Sequence, residues 1–504
     1  MLEADSVLVN PPAARAVRRD HSALIVGVIG AVIGFAGSWV PSYWGDEAAS
    51  VMSATRTWPS LAAMLGNIDG VHGLYYALLH MWVSAFGPSE VATRALSAIA
   101  VGFMVAGTVV LVRELAGTRM AVLAGILCAV LPRTTYMAAE ARSYALGAAV
   151  AVWVTVLLVR LLRGSTARRW WFAYAAAIAG GMYVFLYLGL LLVVHGLFVA
   201  VLHRRALKRW APAAGVSLLL AAPIIVVGYL QRSQISFLEK RHYATAEHVF
   251  TSQWFGYPLL AIAAWLLIVV AMIWLIAALR RRRPDDAGLI ALALLAAFWL
   301  SVPTAALLLS DATIARVYNV RYLSFCAPAA AILLALGVRA VSRLASPSRR
   351  GAVAALLVCA VLIGCAPAYL GQRSPWAKDG GSDWRAVADY VRANAAPDAA
   401  VVFDQSTKPS RDPRIALDLY PEAFAGLRDI ALETPYGNRP HLWDRTSPNA
   451  EVAPRLIGSR DVWAIELTTS TAPPADVVLL EDLGYELETS QLIHRTTVYH
   501  LVKE

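Results

Sequence analysis

Long apolar runs broken by short polar stretches dominate residues 22–370. The runs near 22–40, 90–112, 119–136, 142–162, 170–183, 186–202, 210–228, 257–279, 287–309, 322–340 and 352–370 are each read as a membrane span, since a helix needs about 20 apolar residues to cross the hydrocarbon core. Two of these, 170–183 and 186–202, are short, and the pair could form one element bent around Gly180 and Gly181. A further run, GLYYALLHMWVSAF at 73–86, is too short to cross and reads as an interfacial or re-entrant helix. From about 371 the pattern changes, with Asp, Glu, Pro and Arg throughout. There SDWRAVADYVRANA (382–395) has apolar residues at helical spacing, and AAVVF (399–403), DVWAIEL (461–467) and TTVYHLV (496–502) read as strands. The pattern therefore predicts an all-α polytopic membrane domain over 1–370, with about 11 spans, and a small α/β domain over 371–504.

Composition supports that class and narrows it. Of 504 residues 58% are hydrophobic and 15% charged, with a mean hydropathy of +0.57, outside the balance of soluble domains. The 44 Lys and Arg against 34 Asp and Glu do not form a nucleic-acid surface. They fall in clusters between apolar runs, at Arg113/Arg119, Arg160 to Arg169, Arg204 to Arg209, Arg280 to Arg283 and Arg339 to Arg350. Such clusters mark cytoplasmic loops. With 73–86 left out of the span count all of them share a side with Arg15, Arg18 and Arg19, before a first helix that lacks a cleavage site. The reading is a multi-pass plasma-membrane protein with a cytoplasmic N-terminus. Segments 41–89, 137–142, 229–256 and 310–321, and the tail after 371, then lie outside. The four cysteines lie in or beside apolar stretches without metal-type spacing.

The external side carries the candidate chemistry. YWGDEAA at 43–49 sets Asp46 and Glu47 at the edge of the first span, where charge is expensive. Two readings stay open: acidic residues favoured at a helix start, or a carboxylate acting as general base towards a hydroxyl substrate. The same segment holds Asp69, His72 and Tyr75 among aromatics that suit an interfacial belt. AAEARSYAL (138–146) places Glu140, Arg142 and Tyr144 before the fourth span. IARVYNVRYLSF (314–325) places Arg316, Arg321 and Tyr322 before the tenth. External arginines run against the topology rule and call for a partner, a phosphate or an intramolecular carboxylate; for Arg316 the intramolecular tie is the stronger reading. Gln234, in the polar loop 230–248, is a candidate for lining a substrate groove. No Walker loop, dinucleotide fingerprint, HExxH or nucleophile elbow is present.

Taken in order, YWGDEAAS, the 69–98 stretch DGVHGLYYALLHMWVSAFGPSEVATRALSA, AAEARSYAL and VRYLSF resemble the GT-C membrane glycosyltransferases, in the branch of the protein O-mannosyltransferases and lipid A aminoarabinose transferases. Many bacterial members carry His-Pro-Pro before LYY; Val71-His72-Gly73 here looks like the actinobacterial form. The resemblance covers about 30–330. It implies many spans with interfacial helices in the first external loop, and inverting transfer of a sugar from a polyprenyl-phosphate donor to an acceptor on the outer face. By that likeness Asp46 is the catalytic base with Glu47 beside it, and Arg142, Arg321 and Tyr322 meet the donor phosphate. Asp69, His72, Tyr75, Glu140, Tyr144 and Gln234 are the remaining substrate candidates. Mannose is the expected sugar, arabinose the runner-up, and the acceptor a glycolipid, a lipoglycan or a protein. No cofactor is implied. A divalent cation stays open, because some GT-C enzymes use one, and Asp46, Glu47 and Asp69 are the carboxylates that could bind it. The rival class is a transporter or flippase of lipid-linked saccharides, which would show paired broken helices and midplane charges.

Overall fold

The computed structural model describes residues 20–164, 167–281, 283–468 and 473–504, so Arg15, Arg18 and Arg19 lie outside the described residues. In chain order the helices of the described residues are α1 (Ser22–Phe35), α2 (Gly45–Ala54), α3 (Trp58–Asn67), α4 (Gly73–Phe86), α5 (Glu90–Ala116), α6 (Thr118–Val130), α7 (Pro132–Ala138), α8 (Tyr144–Arg163), α9 (Arg168–Val184), α10 (Leu190–Leu202), α11 (Leu207–Leu230), α12 (Pro258–Arg281), α13 (Ala287–Thr313), α14 (Ala327–Ser342), α15 (Arg350–Gly371), α16 (Trp384–Asn394), α17 (Ile415–Leu419), α18 (Asn449–Val452) and α19 (Ala475–Asp482). Every expected apolar run falls on one of these helices or on a helix pair. Among the described residues seven helical stretches are long and apolar enough to cross a membrane, and an eighth counts if the pair α6 and α7, bent by 61°, is one span. The bend falls at Pro132, the first residue of α7, where a missing N–H and a fixed φ end the preceding ladder. The expected hinge at Gly180 and Gly181 is not where the chain breaks. Helix α9 runs through both glycines to Val184, and the break is Phe185 (φ −156°, ψ 107°) followed by a 3₁₀ turn at Leu186–Gly189.

Two compact units divide the chain. The first takes in residues up to Ala36, Val71–Tyr75 and Arg94–Gly371; the second takes in Gly37–Gly70, Tyr76–Thr93 and Gln372–Glu504. In the first unit the stretch Val320–Ser342, which ends in α14, is the most buried of the candidate spans, whereas α15 is mostly exposed. Close approach along α14 needs glycine: a Cβ on Gly337 would stand 2.2 Å from the Leu267 carbonyl oxygen of α12. Small residues at such crossings let helices meet where lipid offers no hydrophobic drive.

Four helices of this unit are joined by one polar chain. Trp210 of α11 donates to the Tyr174 hydroxyl of α9 at 3.2 Å. Tyr174 lies 2.8 Å from Nδ1 of His195 on α10, and His195 Nε2 lies 3.1 Å from Thr155 Oγ1 on α8. The Thr155 hydroxyl spends its proton on the Ala151 carbonyl at 2.7 Å, so His195 must donate through Nε2 and accept through Nδ1 from Tyr174. His195 is fully buried, and this order of donors fits a neutral ring. His195→Phe keeps the volume and breaks two of these bonds. It is expected to lower stability by about 1–2 kcal/mol, read as a lower Tm in detergent; an unchanged Tm would mean the chain adds nothing.

The second unit is built around a five-stranded sheet ordered β2-β1-β5-β7-β6, with β1 (Ala400–Phe403), β2 (Arg428–Asp429), β5 (Asp461–Leu467), β6 (Glu486–Leu492) and β7 (Thr496–Val502); β3 (Leu432–Thr434) and β4 (Arg445–Thr446) form a separate pair. β1 is parallel to β2 and β5, while β7 is antiparallel to β5 and β6. Alternation along the strands gives the sheet two apolar faces. Val402, Val462, Ala464 and Leu501 pack with Val477 and Leu480 on one. Val401, Phe403, Trp463, Ile465 and Val498 pack on the other with Trp384, Val387 and Val391 of α16, and that core also contains Tyr43, Ala48, Val51 and Met52. Helix α2 thus buries its apolar side in the α/β core.

Candidate active site

In the second unit, α2 begins at Gly45 after an extended Trp44 and carries Asp46 and Glu47 in its first turn, a position that favours negative charge. The two carboxylates differ in surroundings. Glu47 is fully buried, whereas Asp46 is partly exposed. Gly45 and every residue from Glu47 to Ala54 are buried, so Asp46 is the one residue of α2 that keeps partial exposure. The start of α2 lies against the loop after β1, where a Cβ on Gly45 would meet the Ser410 carbonyl oxygen at 2.4 Å. Asp69, between α3 and a short 3₁₀ turn, has φ 56° and accepts a hydrogen bond from the Tyr76 hydroxyl at 2.8 Å. Glu90, at the start of α5, accepts from the Tyr420 hydroxyl at 2.6 Å and lies 3.4 Å from Arg385. Burial, reinforced by Glu90, holds the Tyr420 phenol well above the usual tyrosine range.

In the first unit, Glu140 is fully buried in the turn between α7 and α8. Its carboxylate lies 3.7 Å from the Arg321 guanidinium, and its main-chain oxygen accepts from Ser97 at 2.6 Å and from the Arg142 amide at 2.8 Å. Arg142, itself buried, reaches Nε2 of His72 at 3.2 Å. Arg321 is the second residue of the 3₁₀ turn Val320–Cys326, capped by Asn319, whose Oδ1 accepts from the Arg321 amide at 3.0 Å. Tyr322 stacks on Tyr187 with centroids 5.0 Å apart, and Tyr144 meets Phe185 edge-on at 5.5 Å. Phe185 also packs edge-on against Tyr322 and Phe325. The structure thus joins Glu140, Arg142, Arg321 and His72 in one polar group and Tyr144 and Tyr322 in one aromatic group. Arg316 donates to the main-chain carbonyl of Glu239 at 2.6 Å, an intramolecular tie made to the backbone and not to the carboxylate that was expected. Gln234 sits in the 3₁₀ stretch Arg232–Lys240 and donates to Gln231 at 3.1 Å. Tyr75 is buried on α4.

Three contributors escape a sequence reading. Phe185 and Tyr187 come from the break between α9 and α10, and FLYLG was its only signal. Buried Arg133 donates to the main-chain oxygens of Ser252 and Gln253 at 2.7 Å each, a contact between segments 119 or more residues apart. Among the described residues no three His, Cys, Asp or Glu side chains come together as a metal site. Asp46, Glu47 and Asp69 therefore form no such group.

Residues 74–229 match the family model described as dolichyl-phosphate-mannose-protein mannosyltransferase. No curated protein matches the chain by sequence. Among solved structures the chain is similar to ArnT from Cupriavidus metallidurans in the apo state, with 13% identity, a TM-score of 0.53, and 95% of this chain and 97% of that one covered. Against the same protein bound to undecaprenyl phosphate the values are 15%, 0.54, 95% and 97%. The Archaeoglobus fulgidus oligosaccharyltransferase complex with Zn and sulfate aligns at 12% identity and a TM-score of 0.50, over 88% of this chain and 67% of that one. The chain shares its fold with the ArnT structures and is a multi-pass membrane protein.

Proposed function

We propose that this chain, built on the GT-C fold, transfers a sugar from a polyprenyl-phosphate donor to an acceptor hydroxyl at the extracytoplasmic face of the cell membrane, with inversion. Its N-terminus is cytoplasmic and its α/β domain external. Asp46 is the general base. The observation that supports the assignment is the contrast within the acidic pair: Asp46 is partly exposed and Glu47 is fully buried. In the step, the acceptor oxygen bonds to the anomeric carbon, the bond from that carbon to the phosphate oxygen breaks, and the hydroxyl proton passes to Asp46. Polyprenyl phosphate leaves with the electron pair. Positive character on the sugar and growing negative charge on the phosphate call for a carboxylate and for fixed cations. Arg142 and Arg321 supply the cations, with Tyr322 beside them; Asp69, His72, Tyr75, Glu140, Tyr144 and Gln234 shape the surroundings.

Mannose is the donor sugar in this reading, supported by the description of the matched family model, and the acceptor is an envelope glycolipid or lipoglycan. That description also favours a protein acceptor as the second reading. Purified protein in proteoliposomes is expected to form a new glycosidic bond when given polyprenyl-phosphate mannose and envelope glycolipid, and far less when given the arabinose donor or a Ser/Thr peptide. Product mass spectrometry checks it. Movement of the donor between leaflets with no new bond would point to a flippase instead.

A further inference from the structure

The second unit joins the segment bearing the acidic pair to a domain more than 300 residues away in sequence, and it does so at several polar contacts. Ser382 donates to the Tyr43 carbonyl at 2.5 Å, and Arg385 of α16 donates to the Trp39 carbonyl at 2.8 Å and also to the Val40 carbonyl. The Arg385 amide donates to Ser42 Oγ at 3.2 Å. At the other end, Arg56 is 2% exposed although it follows α2 by only two residues. It donates to the carbonyls of Arg439 at 3.0 Å, His441 at 2.5 Å and Leu442 at 3.3 Å, and to Ser60 at 3.1 Å. Its guanidinium lies 5.1 Å from the Tyr436 ring centroid. Thr55 pairs with the Tyr436 hydroxyl at 3.1 Å, and Ser60 donates to the Gly437 carbonyl at 2.6 Å. Residues 436–442 thus wrap the C-terminal end of α2, while Ser410 abuts its first residue and the sheet core takes its apolar face.

A buried arginine spread over three carbonyls of one turn serves a purpose that salt bridging does not. Its planar fork fixes direction as well as distance, and each neutral carbonyl it reaches is otherwise an acceptor short of a donor. Arg56 lies ten residues after Asp46, so a shift or tilt of α2 at this end moves the carboxylate at the other. Positioning errors of about 1 Å can cost about 10²-fold in rate.

We infer that Arg56 is a positioning residue, and that its socket in the 436–442 turn makes the C-terminal α/β domain the mount that aims Asp46. The inference rests on the proposed transferase reading for its kinetic consequence and on the geometry alone for its structural one.

The test uses the full-length protein in proteoliposomes, with Arg56→Met, Arg56→Lys and Ser60→Ala. Hydrogen exchange is followed over residues 45–54, and kcat and donor KM are measured with polyprenyl-phosphate mannose. Arg56→Met is expected to speed exchange in α2 by about tenfold or more, with α14 unaffected, and to lower kcat about 10- to 100-fold with donor KM within twofold. Arg56→Lys, able to reach some of the carbonyls, should recover part of both losses. Ser60→Ala, which keeps Arg56, should give a smaller change of the same kind and stands in if Arg56→Met does not fold. Unchanged exchange in α2 for the folded variants overturns the inference, as does a loss carried wholly by donor KM. Faster exchange in a protein whose wild type transfers no sugar supports the mount and removes only the transferase reading.

Discussion

Replacing Asp46 with Asn is expected to lower sugar transfer by about 10²–10⁴-fold, the range of a general base, while donor binding and Tm stay near wild type. Asn keeps the size of the side chain and its helix-start position, so the change removes a proton acceptor and little else. The partial exposure of Asp46 makes the substitution tolerable to the fold, because no fully buried charge is lost. Transfer of labelled sugar in proteoliposomes, with donor binding followed in parallel, is the measurement. A variant that transfers at close to the wild-type rate would move the base elsewhere.

The second large effect is expected at Arg321. Arg321→Ala should abolish measurable donor binding and cost about 3 kcal/mol of stability, because it removes a cation from beside the fully buried carboxylate of Glu140, and breaking a buried pair from one side costs that much. The two losses have different causes and can be separated. In the double variant Arg321→Ala/Glu140→Gln the buried charge is gone, so Tm should recover most of its loss while donor binding does not. Recovery of both would make Arg321 a structural counter-ion and return the phosphate to Arg142 alone. Tm in detergent and binding of a polyprenyl-phosphate ligand distinguish the outcomes.

Seven of the eleven expected spans, and an eighth if α6 and α7 count as one, were legible because burial in lipid demands long uninterrupted apolar stretches, whereas α1, α9 and α10, at 14, 17 and 13 residues, fall short of the crossing length. The α/β tail was legible because strands β1, β5 and β7 carry dense apolar residues. Strand β6, Glu486–Leu492, was not legible: all seven of its residues are exposed, so it shows no apolar alternation, and only its pairing with β7 makes it a strand. The break at Phe185 was misplaced towards Gly180 and Gly181 because glycine weakens a helix in isolation, while packing of α9 against α11 and α8 carries the helix through both. Arg142 and Arg321 stood out by violating the charge rule, but Arg133 and Arg56 did not, since their partners are main-chain oxygens that leave no trace in composition. What the sequence could not carry is the seating of 37–70 among residues 372–504, a long-range pairing with no local signature.

The hydrogen-bond chain through His195 bears on the energetics of the membrane itself. An ionisable ring buried among apolar helices is the usual raw material of a proton relay, and a relay across a cell membrane would discharge the gradient on which the cell depends. Here the series starts at an indole N–H, which can donate but not accept, and ends at the Ala151 carbonyl, which can accept but not pass a proton on. Both ends are closed, so the histidine can tie four helices together without opening a conductive path.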